Sequence, residues 1–144
     1  SQAMKNLVGL AGEIHAYRVL RKKYGPTVVN PSSWISENST FKFPGNSVSD
    51  DYGCDFKINH NKKIYFIEVK ATQGDEEVFE LGLSEIRKAV EVANRRKEKF
   101  LIFHITNALS DRPNFCFLTN SYNKKYSKFY RIFNAGLKIQ YQKI

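Results

Sequence analysis

The sequence predicts a single α/β domain, a β-sheet with helices packed on it. Three observations predict it. The segment Lys5–Tyr24 repeats apolar residues at helical spacing. Two stretches, "CDFKI" and "KKIYFIEVKAT", follow at hairpin spacing. A second helical segment then leads into the apolar runs "KFLIFHIT" and "NFCFLT". The order helix, strands, helix, strands is not a regular βαβ repeat, and no GxGxxG or Walker lysine motif is present, so a nucleotide-binding doubly wound fold is not expected.

Taken in order, Ser1-Gln2-Ala3 reads as a remnant before Met4, and residues 4–144 as one domain. Leu7, Leu10, Ile14 and Tyr17 mark the first helix, which Gly25-Pro26 ends. "TVVN" and "SSWIS" read as short extended pieces around Pro31. The polar stretch Glu37–Asp51, with Pro44-Gly45 inside it, reads as a long loop in which Asp50 and Asp51 are solvated rather than a second metal pair. Two strands joined through His60-Asn61 come next, then the turn "QGDEE" and a strand-like "VFELGL". Ser84 is placed to cap a helix running to about Lys97, with Ile86, Ala89, Val90 and Ala93 at helical spacing and Glu85 suited to its positive end. The tail holds a short basic helix around residues 124–130 and a last strand, "GLKIQYQ".

With 42% hydrophobic and 14% aromatic residues, the 144-residue chain is globular and large enough for one sizeable core. Its 23 Lys and Arg against 14 Asp and Glu give a net charge of +9, which favours polyanions, nucleic acid first among them. Three basic runs are candidate phosphate contacts: Arg21, Lys22 and Lys23; Arg95 and Arg96; and Lys124, Lys125 and Lys128, the last interleaved with Tyr and Phe that can stack on unpaired bases. Each run alone is equally a solvated helix face. Cys54 and Cys116 form no CxxC, so neither a zinc knuckle nor a disulfide scaffold is indicated, and a reducing, cytoplasmic setting is expected. No apolar run is long enough for a membrane span, and no membrane partner is expected. His15, His60 and His104 are scattered and read as structural.

The chemistry concentrates at residues 52–72. In "IYFIEVKAT", Phe66, Glu68, Lys70 and Thr72 share one face of a strand, and Tyr65, Ile67, Val69 and Ala71 the other, which is core. The charged face is expected where the strand emerges at the rim of the sheet. In "CDFKI", Cys54, Phe56 and Ile58 are expected on one face and Asp55 and Lys57 on the other. Pairing of the two strands brings Asp55 and Glu68 close, with Lys70 beside them. Two adjacent carboxylates repel unless a cation separates them, and such an oxygen site suits Mg2+ (or Mn2+). The lysine then orients or activates a water, or stabilises charge on a phosphate. Glu13 projects between Tyr17 and Leu20, inside the apolar arc of the first helix, where a charge needs a partner or a ligand. Gly9 and Gly12 beside it imply close packing on that helix. The alternative for the acid–lysine set is a salt-bridged cluster at a sheet edge, worth little in stability.

The ordered set "GLAGEIHAYRVL", "YGCDFKI", "IEVKAT" and "FELGLSEIRKAVE" resembles the NO VEIN C-terminal domain family, within the PD-(D/E)xK nuclease superfamily. The match places Glu13 on a helix, Gly53-Cys54-Asp55 and Glu68-Val69-Lys70 on strands, and Leu81 and Glu85 at the opening of a second helix. Cys54 stands where a bulkier residue is usual. The resemblance implies a restriction-endonuclease-like core, a central mixed sheet flanked by helices. It also implies metal-dependent cleavage of DNA more than RNA, in restriction, defence or repair. On that mapping Asp55 and Glu68 hold Mg2+, Lys70 positions water, and Glu13 supports the metal or the lysine. Thr72 and Gln73, at the strand exit, touch phosphate or base or form an ordinary turn; Glu85 is a helix-start residue before it is a ligand. The family's domains often end longer defence, helicase or ATPase proteins, so the resemblance implies either an excised domain, with a fused or partner ATPase or helicase, or a short stand-alone version; duplex cleavage would favour a homodimer. The competing class is a module on the same fold that binds nucleic acid or docks a partner without cutting.

Overall fold

The computed structural model of the chain describes residues 1–49, 52–133 and 137–142. Asp50 and Asp51 lie outside the described residues. The first helix, α1 (Gln2–Tyr24), begins before Lys5, with the Ser1 hydroxyl accepting from the Met4 N–H at 3.2 Å. It ends at Gly25, whose φ of 92° suits glycine. Its buried stripe runs through Val8, Gly12, Glu13, Ala16, Tyr17 and Leu20, while Leu7 is exposed.

Beyond α1 the expected extended pieces give way to a 3-10 turn at Pro31–Ser33, because the Asn30 side chain caps it by accepting from the Ser32 N–H. Trp34 alone makes a strand-like bridge, to Phe56. Among its described residues, the stretch expected as loop contains a short helix, α2 (Ser39–Lys42).

The hairpin forms as predicted. Strands β1 (Phe56–His60) and β2 (Lys63–Ala71) pair antiparallel across Asn61-Lys62. Both turn residues have positive φ, 50° and 63°, the conformation whose twist matches the flanking strands. A short β3 (Val78–Glu80) and helix α3 (Leu83–Val92) then carry the chain over to β4 (Glu98–Thr106), which lies parallel to β2. A parallel neighbour needs such a crossover. Antiparallel β5 (Asn114–Leu118) completes a mixed sheet in the order β1-β2-β4-β5.

The tail differs from expectation. The basic helix is reduced to a 3-10 turn at Ser127–Phe129, and β6 (Tyr130–Phe133) follows it directly. With β7 (Lys138–Tyr141) and β3 it makes a second, antiparallel sheet in the order β3-β7-β6.

Helix α3 also differs at both ends. Gly82 precedes it in extended conformation, so Ser84 lies inside the first turn instead of capping it. The helix stops short of Lys97 because the side-chain amides of Asn120 and Asn123 donate to the carbonyls of Ala89 and Ala93, at 2.8 and 2.7 Å. Val90 is exposed, and Val92 is buried in its stead.

Both faces of the central sheet are covered. Trp34, Phe56, Ile67, Phe103 and Ile105 pack beneath α1, and Phe66, Phe100, Ile102 and Leu118 pack with α3 and the small sheet. Trp34 is sandwiched between Tyr17 and Phe56, with ring centroids 5.6 and 5.5 Å apart. The helix α1 lies so close to β2 that a Cβ on Gly12 would sit 2.5 Å from that of Ala71; Gly9 faces open space, so only one of the two glycines marks the contact.

Candidate active site

The charged half of β2 is not at a rim. Glu68 is 6% exposed in the interior of a strand flanked on both sides, opposite Ile102 of β4. What covers it is the first turn of α3. Gly53, at φ 83°, makes that approach possible: a Cβ there would stand 2.5 Å from the Ser84 carbonyl oxygen and 2.8 Å from the Lys88 Cβ. The bend at Gly53 also breaks the expected alternation, since Cys54 joins the α3-side core while Phe56 and Ile58 join the α1 side.

The backbone N–H of Asp55 donates to the Ile67 carbonyl at 2.9 Å, extending the hairpin ladder so that Asp55 stands beside Glu68. Its Oδ2 accepts from the Val69 N–H at 2.8 Å, and its carboxyl shares a hydrogen bond with that of Glu68. Lys70 Nζ lies 3.1 Å from Glu68 Oε2 and 2.7 Å from Glu85 Oε1. The same Glu85 oxygen accepts from the Gly82 N–H at 3.1 Å. Glu85 is thus both the start of α3 and the anchor of Lys70.

Burial dominates the electrostatics. Desolvation, then the charges of Glu68 and Glu13, hold the Asp55 carboxyl well above the ordinary aspartate range, although the Val69 N–H pulls it down. Desolvation and the charge of Glu85 push Glu68 up to about 7, against the opposing pull of Lys70 and the Asp55 hydrogen bond. Burial alone would lower the Lys70 ammonium, but Glu68 and Glu85, by charge and hydrogen bond, carry it above its usual value. The site is a pair of neighbouring carboxyls, both biased towards protonation, beside a lysine held as a cation.

The donor set fits a hydrated divalent cation, which takes one or two carboxylates and completes its shell with water and phosphate oxygens. Asp55 and Glu68 are the two carboxylates that would supply such a cation's protein ligands. No group of three or more His, Cys, Asp or Glu side chains that could hold a metal occurs among the described residues.

Glu13 is buried, and its oxygens accept from the Trp34 indole N–H at 2.9 Å, the Ser36 hydroxyl and the Asn38 amide. The loop it holds also donates from the Ile35 N–H to the Asp55 carbonyl at 2.8 Å. Glu13 therefore reaches the acid pair through this loop and through its charge, while the partners of Lys70 are Glu68 and Glu85.

Thr72 shares a hydrogen bond with His104 Nε2, and His104 Nδ1 another with the Tyr141 hydroxyl, both at 2.5 Å. Gln73 is exposed beside a small cavity with Met4 and Lys5. His104, 1% exposed and the register partner of Lys70 on β4, sits closer to the site than its scattered place in the sequence suggested. Only the pairing of β7 with β3 brings Tyr141 to it, a contact without a local signal.

The basic residues lie on three separate segments of the chain. Arg21, Lys22 and Lys23 are exposed at the end of α1, where Arg21 donates to the Tyr17 hydroxyl and Lys23 lies over the Phe117 ring at 4.4 Å. Arg95 is paired with Glu91 and Glu98, and Arg96 is exposed. Lys124, Lys125 and Lys128 are exposed around the second 3-10 turn. Cys54 is buried, Cys116 half-buried, and they form no disulfide. No helix among the described residues is long and apolar enough to cross a membrane.

Neither a curated protein nor a solved structure matches the chain. A family model described as Protein NO VEIN, C-terminal, matches residues 13–118, a span that contains Glu13, Asp55, Glu68, Lys70 and Glu85. That span is well over half of the 144-residue chain, and the chain belongs to the NO VEIN C-terminal family.

Proposed function

We propose that this domain is a metal-dependent nuclease of the PD-(D/E)xK type, binding DNA and hydrolysing a phosphodiester bond. One observation carries the reading: half-buried Asp55 and Lys70 flank buried Glu68 on the central sheet, with Lys70 3.1 Å from Glu68 and 2.7 Å from Glu85. Asp55 and Glu68 hold Mg2+ or Mn2+, which when bound polarises a phosphate oxygen and lowers the pKa of a coordinated water. Loss of the shared proton accompanies that binding, since both carboxylates must be ionised. Lys70, kept cationic by two acids, donates hydrogen bonds; it orients the attacking water or meets charge growing on the phosphate, and does not act as a base. Glu85 fixes where the ammonium points, and Glu13 fixes the loop behind Asp55.

The second reading is a module that binds nucleic acid or docks a protein without cutting. It is favoured by the completeness of the polar network, in which Lys70 has two carboxylate partners and Glu13 three donors. Single-stranded and duplex DNA and RNA incubated with Mg2+ or Mn2+ separate the two. The nuclease reading expects cutting by wild type that Lys70→Ala abolishes; equal cutting by both proteins, or none by wild type on any substrate, would contradict it.

A further inference from the structure

The 33 residues after Asp111 contain seven Lys and Arg, eight Phe and Tyr, and no Asp or Glu. Most of the chain's net charge of +9 is therefore carried by its last quarter. Described residues of this segment, Lys128 and Arg131 among its cations, line two adjoining clefts of about 420 and 570 Å3, which share Phe129, Tyr130, Tyr141 and Gln142 as walls. Both volumes lie in the range of small-ligand sites. Phe129 is 52% exposed on the wall shared by both clefts. Cations stand beside these rings: Lys128 over Phe129 at 5.3 Å, Lys125 over Tyr126 at 5.5 Å. On the far wall Tyr141 bonds to His104, which bonds to Thr72, two residues beyond Lys70.

We propose that this cleft binds an unpaired strand of DNA, its bases stacked on Phe129 and Tyr126 and its phosphates on Lys128 and Arg131. Exposed aromatic faces recognise bases only where these are unpaired, because in a duplex each base face is already stacked, whereas the interleaved cations follow the backbone. An acidic peptide or an anionic lipid surface would engage the cations without stacking on the rings, whereas an unpaired strand uses both. Acids reach this region from elsewhere in the chain: Glu80 lies 3.8 Å from Lys138, and the charge of Glu77 acts on Tyr141. Delivery of the strand to the acid pair rests on the nuclease reading; binding itself does not.

The test is fluorescence anisotropy with labelled oligo(dT) of about 16 nucleotides and with a blunt duplex of the same length, in a chelator so that no cleavage intervenes. Oligo(dT) is expected to bind more tightly than the duplex. Phe129→Ala, on an exposed turn, and Lys128→Glu are each expected to lose about tenfold in affinity for oligo(dT) while keeping the wild-type melting temperature. Duplex binding equal to or tighter than oligo(dT) binding, or unchanged affinity in both cleft variants, would overturn the proposal. A nuclease assay that fails leaves each of these outcomes decisive.

Discussion

At the scale of single residues, the site is a balance between burial and pairing. Glu68, Lys70 and Glu85 form a chain of contacts at 3.1 and 2.7 Å, and removing the central cation leaves two acids facing each other. Lys70→Ala should therefore lower stability by about 3 kcal/mol, measured by chemical denaturation. The acid pair sets a pH dependence with a definite sign. Glu68 rises from an ordinary value of 4.5 to about 7, so the folded chain binds a proton more tightly than the unfolded one. Its contribution is full below the unfolded value and is lost as pH rises through the folded value. Metal-free wild type should thus lose melting temperature between about pH 5 and pH 8 relative to Glu68→Gln, which has no proton to lose at this position. A difference that stays flat across that range would show that Glu68 is an ordinary carboxylate.

At the scale of elements, packing contacts decide what the chain's local pattern leaves open. A Cβ at Gly12 meets Ala71 at 2.5 Å, so Gly12→Ala forces α1 off β2. Thermal melts should show a loss of about 1–3 kcal/mol, with Gly9→Ala neutral or stabilising because nothing lies near it. The hairpin, the strand β4 and the buried Glu13 were legible because each has a local signature: alternation, an apolar run, a charge inside an apolar arc. The covering of Glu68 was not. "IYFIEVKAT" looks like a strand leaving the core until α3 is laid over it, and only Gly53, through its contact with Ser84, records that approach. The end of α3 was hidden for the same reason, since the asparagines that take its last carbonyls come from residues 120 and 123. Neither β6 nor the Thr72–His104–Tyr141 chain had a spacing to betray it.

At the scale of the whole molecule, a net charge of +9 and a terminal segment free of acids predict electrostatic binding to nucleic acid. Affinity for DNA should fall at least about tenfold between ~50 and ~200 mM salt, read by anisotropy in a chelator; a flat profile would exclude phosphate contacts as the source of binding. The two-layer covering of the central sheet keeps Glu68 away from water, and on the proposed reading a cation and a phosphate would be felt more strongly there than in solvent. The most direct measurement is anomalous scattering from crystals of the protein soaked in Mn2+. A peak between the Asp55 and Glu68 carboxylates, with their shared hydrogen bond broken and Lys70 still on Glu85, is the predicted result. Carboxylates that remain bonded to each other at saturating Mn2+, with no peak between them, would contradict the metal site and the nuclease reading with it.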